Sequence, residues 1–206
     1  AARQAYIDAA AILREGREHA AESLDQAVMT ELTPLKLGRA VFVTNLTRLE
    51  EDNWTSTGTE RVRFTVATNP GQTPGPIDKI ASGGELARFM LALKVALRRV
   101  NAVPTLVFDE VDAGIGGAVA DAVGERLARL GQDVQVLVVT HSPQVAARAG
   151  HHWQIAKSEA ADGLPATAIT RLDDKARREE IARMLSGAEI SDEARAAAEK
   201  LLVSPT

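Results

Sequence analysis

The sequence has 206 residues, of which 45% are hydrophobic and 25% are charged, and its formal net charge is −4. This length and composition predict a globular protein with a substantial core and argue against a uniformly basic nucleic-acid-binding protein, although positive charge can still cluster locally. There is no cysteine, which excludes disulfides and thiolate metal sites and fits the cytoplasm, and no apolar stretch approaches the ~18 residues of a membrane-spanning helix.

Residues 1–32 predict one long helix, because they contain no proline and a single glycine. Two interpretations fit this helix: an amphipathic helix packed on its own domain, or the returning end of a longer coiled coil. Because the chain begins with alanine inside this pattern, we expect a piece of a longer protein. The expected apolar stripe follows an alternating spacing of four and three residues: Tyr6, Ala10, Leu13, Arg17, Ala20, Leu24 and Ala27.

Strand patterns follow, after Thr33-Pro34 ends the predicted helix. Residues 41–49 and 61–68 predict strands. In the second, apolar residues alternate with polar ones, as in a half-buried antiparallel strand; the expected inward positions are Val62, Phe64 and Val66. The proline- and glycine-rich segment 69–76 predicts a loop.

From residue 83 onward, helical and strand patterns alternate, which indicates an α/β fold whose mostly parallel sheet is covered by helices on both faces. Gly187 is placed to end a helix, and Ser191 is placed to cap the next one. The predicted helices are 84–100, about 117–130, a short one after Pro143, 174–186 and 191–202, and the predicted strands are 105–109, 134–140, 152–157 and 166–172.

Two acidic residues, Asp109 and Glu110, follow the apolar strand TLVF. Ligands of parallel α/β sheets collect beyond the carboxyl ends of the strands, where this pair is expected. One carboxylate could hold Mg²⁺ while the other orients a water molecule for attack. For such a pair taken alone, an acidic turn without a chemical role is the more common explanation.

The segment Ser82-Gly83-Gly84-Glu85 opens a predicted helix. A helix N-terminus has unpaired N–H groups that attract anions, glycines let a phosphate approach closely, and the serine hydroxyl is a further donor. A simple serine cap with a glycine turn explains the segment equally well. His141 follows another apolar strand, so it is expected at the same sheet edge as Asp109 and Glu110.

These motifs, in this order, resemble the second half of an ABC-type ATPase head. ASGGE resembles the signature motif, although position 81 is Ala where many members have Leu. TLVFDE resembles the Walker B strand, DAGIGG the D-loop region and THSP the switch-histidine region. The resemblance therefore implies the C-terminal half of a P-loop ATPase head.

The phosphate-binding motif G-x-x-x-x-G-K-[ST] is absent from these 206 residues. In the SMC-like branch of the family, a long coiled coil separates the two halves of the head. The resemblance thus implies that residues 1–32 are the returning end of a coiled coil and that residues 33–206 are the C-terminal lobe of the head. The glycines after DEVDA resemble the bacterial DNA-repair members of this branch more than the chromosome-condensing members.

For function, the resemblance implies an ATPase that acts in recombinational repair of DNA double-strand breaks, in the cytoplasm at the nucleoid. Its partners would be the N-terminal half of the same head, a second copy of the protein and double-stranded DNA ends, with no membrane. Two heads would enclose two ATP molecules, closing on ATP binding and opening on hydrolysis. Without the phosphate loop, this chain alone would be inactive.

The resemblance also implies roles for individual residues. Asp109 would bind Mg²⁺, Glu110 would polarise the attacking water, and His141 would contact the γ-phosphate. The remaining expected contacts with the nucleotide or along the dimer seam are made by Ser82, Gly83, Gly84, Glu85, Asp112 and Gly114. The alternatives are the head of another SMC-like or transport ATPase and a non-catalytic interaction domain of the same fold.

Overall fold

The computed structural model describes residues 1–79, 82–98, 100, 103–159, 165–187 and 189–203. The chain forms two compact units, Ala1–Ala102 and Val103–Thr206. The domain boundary expected between residues 32 and 33 stays a prediction. No described helix is both long enough and apolar enough to cross a membrane.

The first unit begins with the predicted long helix, α1, which spans Ala2–Leu32. The expected stop at Thr33-Pro34 is only partly right, because a π-helical turn continues over Thr33–Leu37. Because proline has no N–H to donate and its ring crowds the preceding turn, the regular α-helical bonding ends near Pro34. Lys36, with φ of 58°, then turns the chain out of the helix.

The buried stripe of α1 differs from the expected one at Leu13 and in its second half. Ala20 and Ala27 are exposed, whereas Ala10, Ala21 and Val28 are buried. A strict heptad spacing drifts around a straight helix of 3.6 residues per turn. Val28, which is 18 residues after Ala10, therefore lies on the same face as Ala10, whereas Ala27, which is 17 residues after it, does not. The stripe therefore follows straight-helix packing on the unit, and Ile12 and Leu13 stay exposed.

Three antiparallel strands, β1 (Val41–Arg48), β2 (Glu60–Ala67) and β3 (Gly75–Pro76), complete the first sheet. The first two confirm the predicted strands. Strand β3 occupies the last two residues of the segment 69–76, which was predicted to be a loop. A 3-10 turn over Ile77–Lys79 follows it directly. A second 3-10 turn, Glu51–Asn53, lies between β1 and β2.

The predicted alternation in β2 fails at Thr65, which is buried, and at Val62, which is exposed. Burial of Thr65 is tolerated because its hydroxyl accepts from Asn45 Nδ2 at 2.7 Å and donates to the Val43 carbonyl at 3.2 Å. On the other face of the sheet, the Asp25 carboxylate of α1 accepts from the N–H and hydroxyl of Thr44 at 2.9 and 2.7 Å.

The last element of the first unit is α2, Gly83–Ala96, which ends four residues before the predicted limit of residue 100. It packs against α1 through its buried apolar face. The buried residues of that face are Phe89, Leu91, Ala92, Leu93 and Val95.

The second unit contains the predicted α/β elements. A parallel pair, β4 (Thr105–Asp109) and β5 (Gln135–Val139), is separated along the chain by α3 (Gly117–Leu130). An antiparallel pair, β6 (Trp153–Glu159) and β7 (Pro165–Arg171), follows the short helix α4 (Pro143–Ala147). Helices α5 (Asp174–Ser186) and α6 (Asp192–Val203) end the described chain.

The expected caps of the last helices are confirmed. Gly187, with φ of 83°, ends α5, and the Ser191 hydroxyl accepts from Ala194 N at 3.2 Å in front of α6. A cluster of small side chains joins α4, α5 and α6 around Ile181. Helices α3 and α4 also pack closely, because Gly124 has no side chain to separate them.

The sheet of the second unit is less complete than expected. Among the described residues, β4 and β5 pair only with each other, and one face of the pair carries exposed apolar side chains: Val107, Leu137 and Val139. Val107 alone is 67% exposed. The prediction of helices on both faces is therefore wrong for the described part of the chain, although the α/β fold class is right.

Candidate functional site

The carboxyl ends of β4 and β5 bring the expected acidic pair next to the expected histidine. The strands are in register, with Asp109 opposite Val139, and Glu110 N donates to the Val139 carbonyl at 3.0 Å. Glu110 then adopts φ of 49°, which turns the chain sharply away from the strand. As a result, Glu110 Oε1 lies 3.5 Å from His141 Nε2.

Both side chains of this contact are open to solvent. Glu110 is 58% exposed and His141 is 86% exposed. A polar contact between two exposed side chains contributes little to stability, since water competes for both groups and both side chains lose freedom. The contact therefore leaves both groups accessible to a ligand that binds at this edge of the sheet.

Asp109 is the last residue of β4, on the same exposed face as Val107. Its carboxylate is the kind of hard oxygen ligand that Mg²⁺ uses, and Mg²⁺ at nucleotide sites takes most of its other ligands from phosphates and water. Within the described ranges, no group of three or more acidic or histidine side chains converges on one point. Asp109 by itself thus offers one hard oxygen donor at this edge of the sheet.

The loop that follows Glu110 is shaped by backbone conformation and by one buried acid. Gly114 and Gly117 have φ of 73° and 55°, which glycine adopts without strain. Asp112 is only 7% exposed, and its Oδ2 accepts from the Thr140 hydroxyl at 2.5 Å. The loop from Glu110 is thus bonded to the strand end that carries His141.

A cavity of about 500 Å³ lies beside this loop. Its wall consists of three parts of the second unit: Glu110 with the loop Asp112–Gly117, the segment His141–Gln144, and Met184 with Leu185 of α5. The expected residues Glu110, Asp112, Gly114 and His141 therefore share one concave surface.

The expected signature residues belong to the first unit. Ser82 precedes α2 and its hydroxyl accepts from Glu85 N at 3.4 Å, so it does cap the helix. A Cβ on Gly83 would meet nothing within 4 Å, and the φ of Gly83 is not in the left-handed region. In the part of the chain that the structure describes, neither packing nor backbone conformation requires glycine there. Ser82 and Gly83 are exposed, and Gly84 and Glu85 are partly buried; Ala81 lies outside the described residues.

Some residues at this edge were not found from the sequence. Thr140 directly precedes His141, and its place at the end of an apolar strand was the available signal. Met184 and Leu185 gave no signal, because they come from a helix some forty residues farther along the chain.

No family model matches the sequence. Over 197 residues, which are 96% of this chain and 35% of the relative, it is 50% identical to DNA repair protein RecN of Xylella fastidiosa (strain Temecula1). It is 43% identical over 197 residues to the protein of that name in Rickettsia felis, and 39% identical over 203 residues to the one in Vibrio cholerae. The chain spans about a third of the length of these curated relatives.

Solved structures with a similar fold are head domains of Smc proteins. The head with coiled coil and joint derived from Pyrococcus yayanosii has a TM-score of 0.56 at 19% identity, covering 78% of this chain and 28% of that one. The head from Pyrococcus furiosus, solved with an extended coiled coil and the C-terminal domain of ScpA, has a TM-score of 0.54 at 20% identity and covers 79% and 38%. The expected head fold is therefore confirmed.

Proposed function

We propose that this chain is the C-terminal part of an SMC-like ATPase head, as the sequence motifs indicate. Over 96% of its length, the chain is similar to a segment that makes up about a third of the length of a DNA repair protein RecN. The whole protein then acts in recombinational repair of double-strand breaks, on DNA ends, in the cytoplasm at the nucleoid. The observation that carries the ATPase proposal is the 3.5 Å contact of Glu110 with His141 beyond a parallel strand pair.

In this proposal, the residues at the sheet edge divide the work. Glu110 polarises the water that attacks the γ-phosphate, since its carboxylate is exposed and unbonded except to His141 among the described contacts. His141 contacts the γ-phosphate from the neighbouring strand. Asp109 holds Mg²⁺ through water, and the bound ion would neutralise charge that develops on the phosphates. The loop Asp112–Gly117 lies along the seam between two heads.

The signature residues receive the nucleotide held by a second copy of the protein. The N–H groups at the start of α2 and the Ser82 hydroxyl are donors for phosphate oxygens. Gly83 supports this assignment, because among the described residues no close neighbour requires glycine at that position. Gly84 and Glu85 continue the same helix start, so the four residues form one phosphate-binding surface that closes over ATP when two heads meet.

The incomplete second unit supports a partner within the same polypeptide. A two-stranded sheet is marginal in water, and the exposed face of β4 and β5 carries three large apolar side chains. We assign that face to the N-terminal half of the head, which also supplies the phosphate loop.

Exposed apolar side chains also support a partner for the long N-terminal helix. We assign residues 1–32 to the returning end of a coiled coil, in which exposed Ile12 and Leu13 face the outgoing helix. Residues 33–206 then form the C-terminal lobe of the head.

The test is Glu110→Gln in the full-length protein, with ATP hydrolysis and head dimerisation measured separately. Loss of a catalytic base is expected to lower kcat by roughly 100-fold or more while ATP-dependent dimers still form. Glu50→Gln is the matched control, because Glu50 lies outside the strand ends that form the site and far from them in sequence. Hydrolysis by Glu110→Gln at the wild-type rate would refute the assignment, and no hydrolysis by the wild type would favour the non-catalytic alternative.

A further inference from the structure

The side chain of His141 makes few contacts that could hold it in one orientation. Its imidazole is 86% exposed, and its contact with Glu110, at 3.5 Å, is the only polar contact of that ring found in the described part of the second unit. A catalytic side chain must be held within a fraction of an ångström of its working position. The support for His141 therefore has to come from the backbone on either side of it.

That support is a hydrogen-bonded turn made by Thr140. The Thr140 hydroxyl accepts from Ser142 N at 2.9 Å, which closes a bond across His141. The same hydroxyl donates to Asp112 Oδ2 at 2.5 Å. One hydroxyl thus fixes the residues before and after His141 and connects them to a buried carboxylate of the neighbouring loop.

Asp112 is equally tied to the loop that starts at Glu110. Its carbonyl accepts from Ile115 N at 3.2 Å, and Ala113 N donates to the Glu110 carbonyl at 2.9 Å. Since the Asp112 side chain is buried, its carboxylate depends on the Thr140 bond more than an exposed one would. The bond between Asp112 and Thr140 is therefore a buried side-chain link between the two loops that carry Glu110 and His141, in addition to the exposed contact of those two residues.

We propose that Asp112 and Thr140 form a positioning pair that sets the distance and orientation of His141 relative to Glu110. The inference rests on the proposed ATPase function. It gives Asp112 a role different from the nucleotide contact expected from the resemblance, since a buried carboxylate bonded to Thr140 acts through the loops and not on the substrate. Misplacement of a catalytic group by about 1 Å can cost roughly 100-fold in rate.

The experiment compares four variants of the full-length protein by kcat and KM for ATP. Thr140→Val removes the hydroxyl at nearly constant volume and is expected to lower kcat about 10- to 100-fold with KM changed less than about threefold. Thr140→Ser keeps the hydroxyl and is expected to keep most of the wild-type kcat. Asp112→Ala is expected to match Thr140→Val, and the double variant is expected to be no slower than either single one.

A second measurement does not depend on turnover. In protein labelled with ¹³C-histidine, the ring signal of His141, assigned by comparison with His141→Gln, is expected to move in Thr140→Val and to return in Thr140→Ser. A kcat for Thr140→Val within twofold of wild type, multiplicative losses in the double variant, or an unmoved ring signal would each overturn the pair. If the wild type shows no hydrolysis, the ATPase proposal fails, while the ring signal still decides whether this pair positions His141.

Discussion

Gly124 of α3 lies directly against Val145 of α4: a Cβ built on Gly124 would stand 3.2 Å from Val145 Cα, 3.2 Å from the Gln144 carbonyl oxygen and 2.9 Å from Arg148 Cγ. Two of these three atoms belong to backbone and cannot move alone. The close packing positions α4, which directly follows the turn around His141. The helix contact and the candidate site are therefore mechanically connected.

Gly124→Ala is expected to destabilise the second unit by about 1–3 kcal/mol, because the methyl group overpacks the contact between α3 and α4. Thermal or urea unfolding measures the change. Gly16→Ala is the matched control, since Gly16 is also inside a helix and a Cβ there would meet nothing within 4 Å. That control is expected to be neutral or stabilising by about 0.5–1 kcal/mol, and equal effects at both glycines would contradict the packing argument.

Stability is also expected to depend on the protonation of His152, at the start of the antiparallel pair. Its pKa is lowered mainly because burial disfavours the imidazolium form and also because Arg177 repels it, against the attraction of Glu180. Its ring Nδ1 is buried and has no hydrogen-bond partner among the residues that the structure describes. The unfolded chain therefore takes up the proton more readily than the folded chain, so the stability is full above the ordinary pKa of 6.5 and falls as the pH drops below it.

The measurement for His152 is urea unfolding at several pH values between about 7.5 and 5, across the ordinary histidine pKa. His152→Gln is expected to flatten this part of the profile relative to wild type. The neighbouring His151 is exposed, so His151→Gln is the control for the loss of a histidine side chain at this point of the chain. An unchanged slope in His152→Gln would assign the pH dependence to other groups.

The 206-residue chain by itself is expected to release no phosphate from ATP above background, because its sequence has no phosphate-binding loop to hold the nucleotide. A phosphate-release assay at millimolar ATP checks this. Addition of the separately produced N-terminal part of the head is expected to restore turnover. Turnover by the chain alone at a rate comparable with the full-length protein would contradict the two-part arrangement of the head.

Much of the fold could be predicted, because the second unit alternates apolar strands and helices with clear end signals. Gly187 and Ser191 illustrate this, since each has the residue type that its cap requires. The stripe of α1 was predicted wrongly at Leu13, Ala20 and Ala27, because spacing alone cannot distinguish a heptad from straight-helix packing over a few turns. Thr65 was missed because a satisfied hydroxyl can replace an apolar group in a core.

The sequence predicted which residues lie at the site but not the hydrogen bonds that connect them. Asp109, Glu110 and His141 were expected at one edge, because each follows an apolar strand of a parallel pair. The bond from Thr140 to Asp112 depends on the left-handed turn at Glu110, which no local residue preference predicts for glutamate. The functional roles of these residues stay predictions until the variants are measured.

The unfinished sheet of the second unit also determines how this chain can be handled. Within the described residues, β4 and β5 each have hydrogen bonds to one neighbour only, so each offers a row of free N–H and carbonyl groups beside exposed Val107. Such an edge is expected to pair with strands from other copies, so we expect the chain to aggregate at high concentration. If the proposed N-terminal half of the head covers this face, co-expression of the two parts is expected to keep the chain in solution.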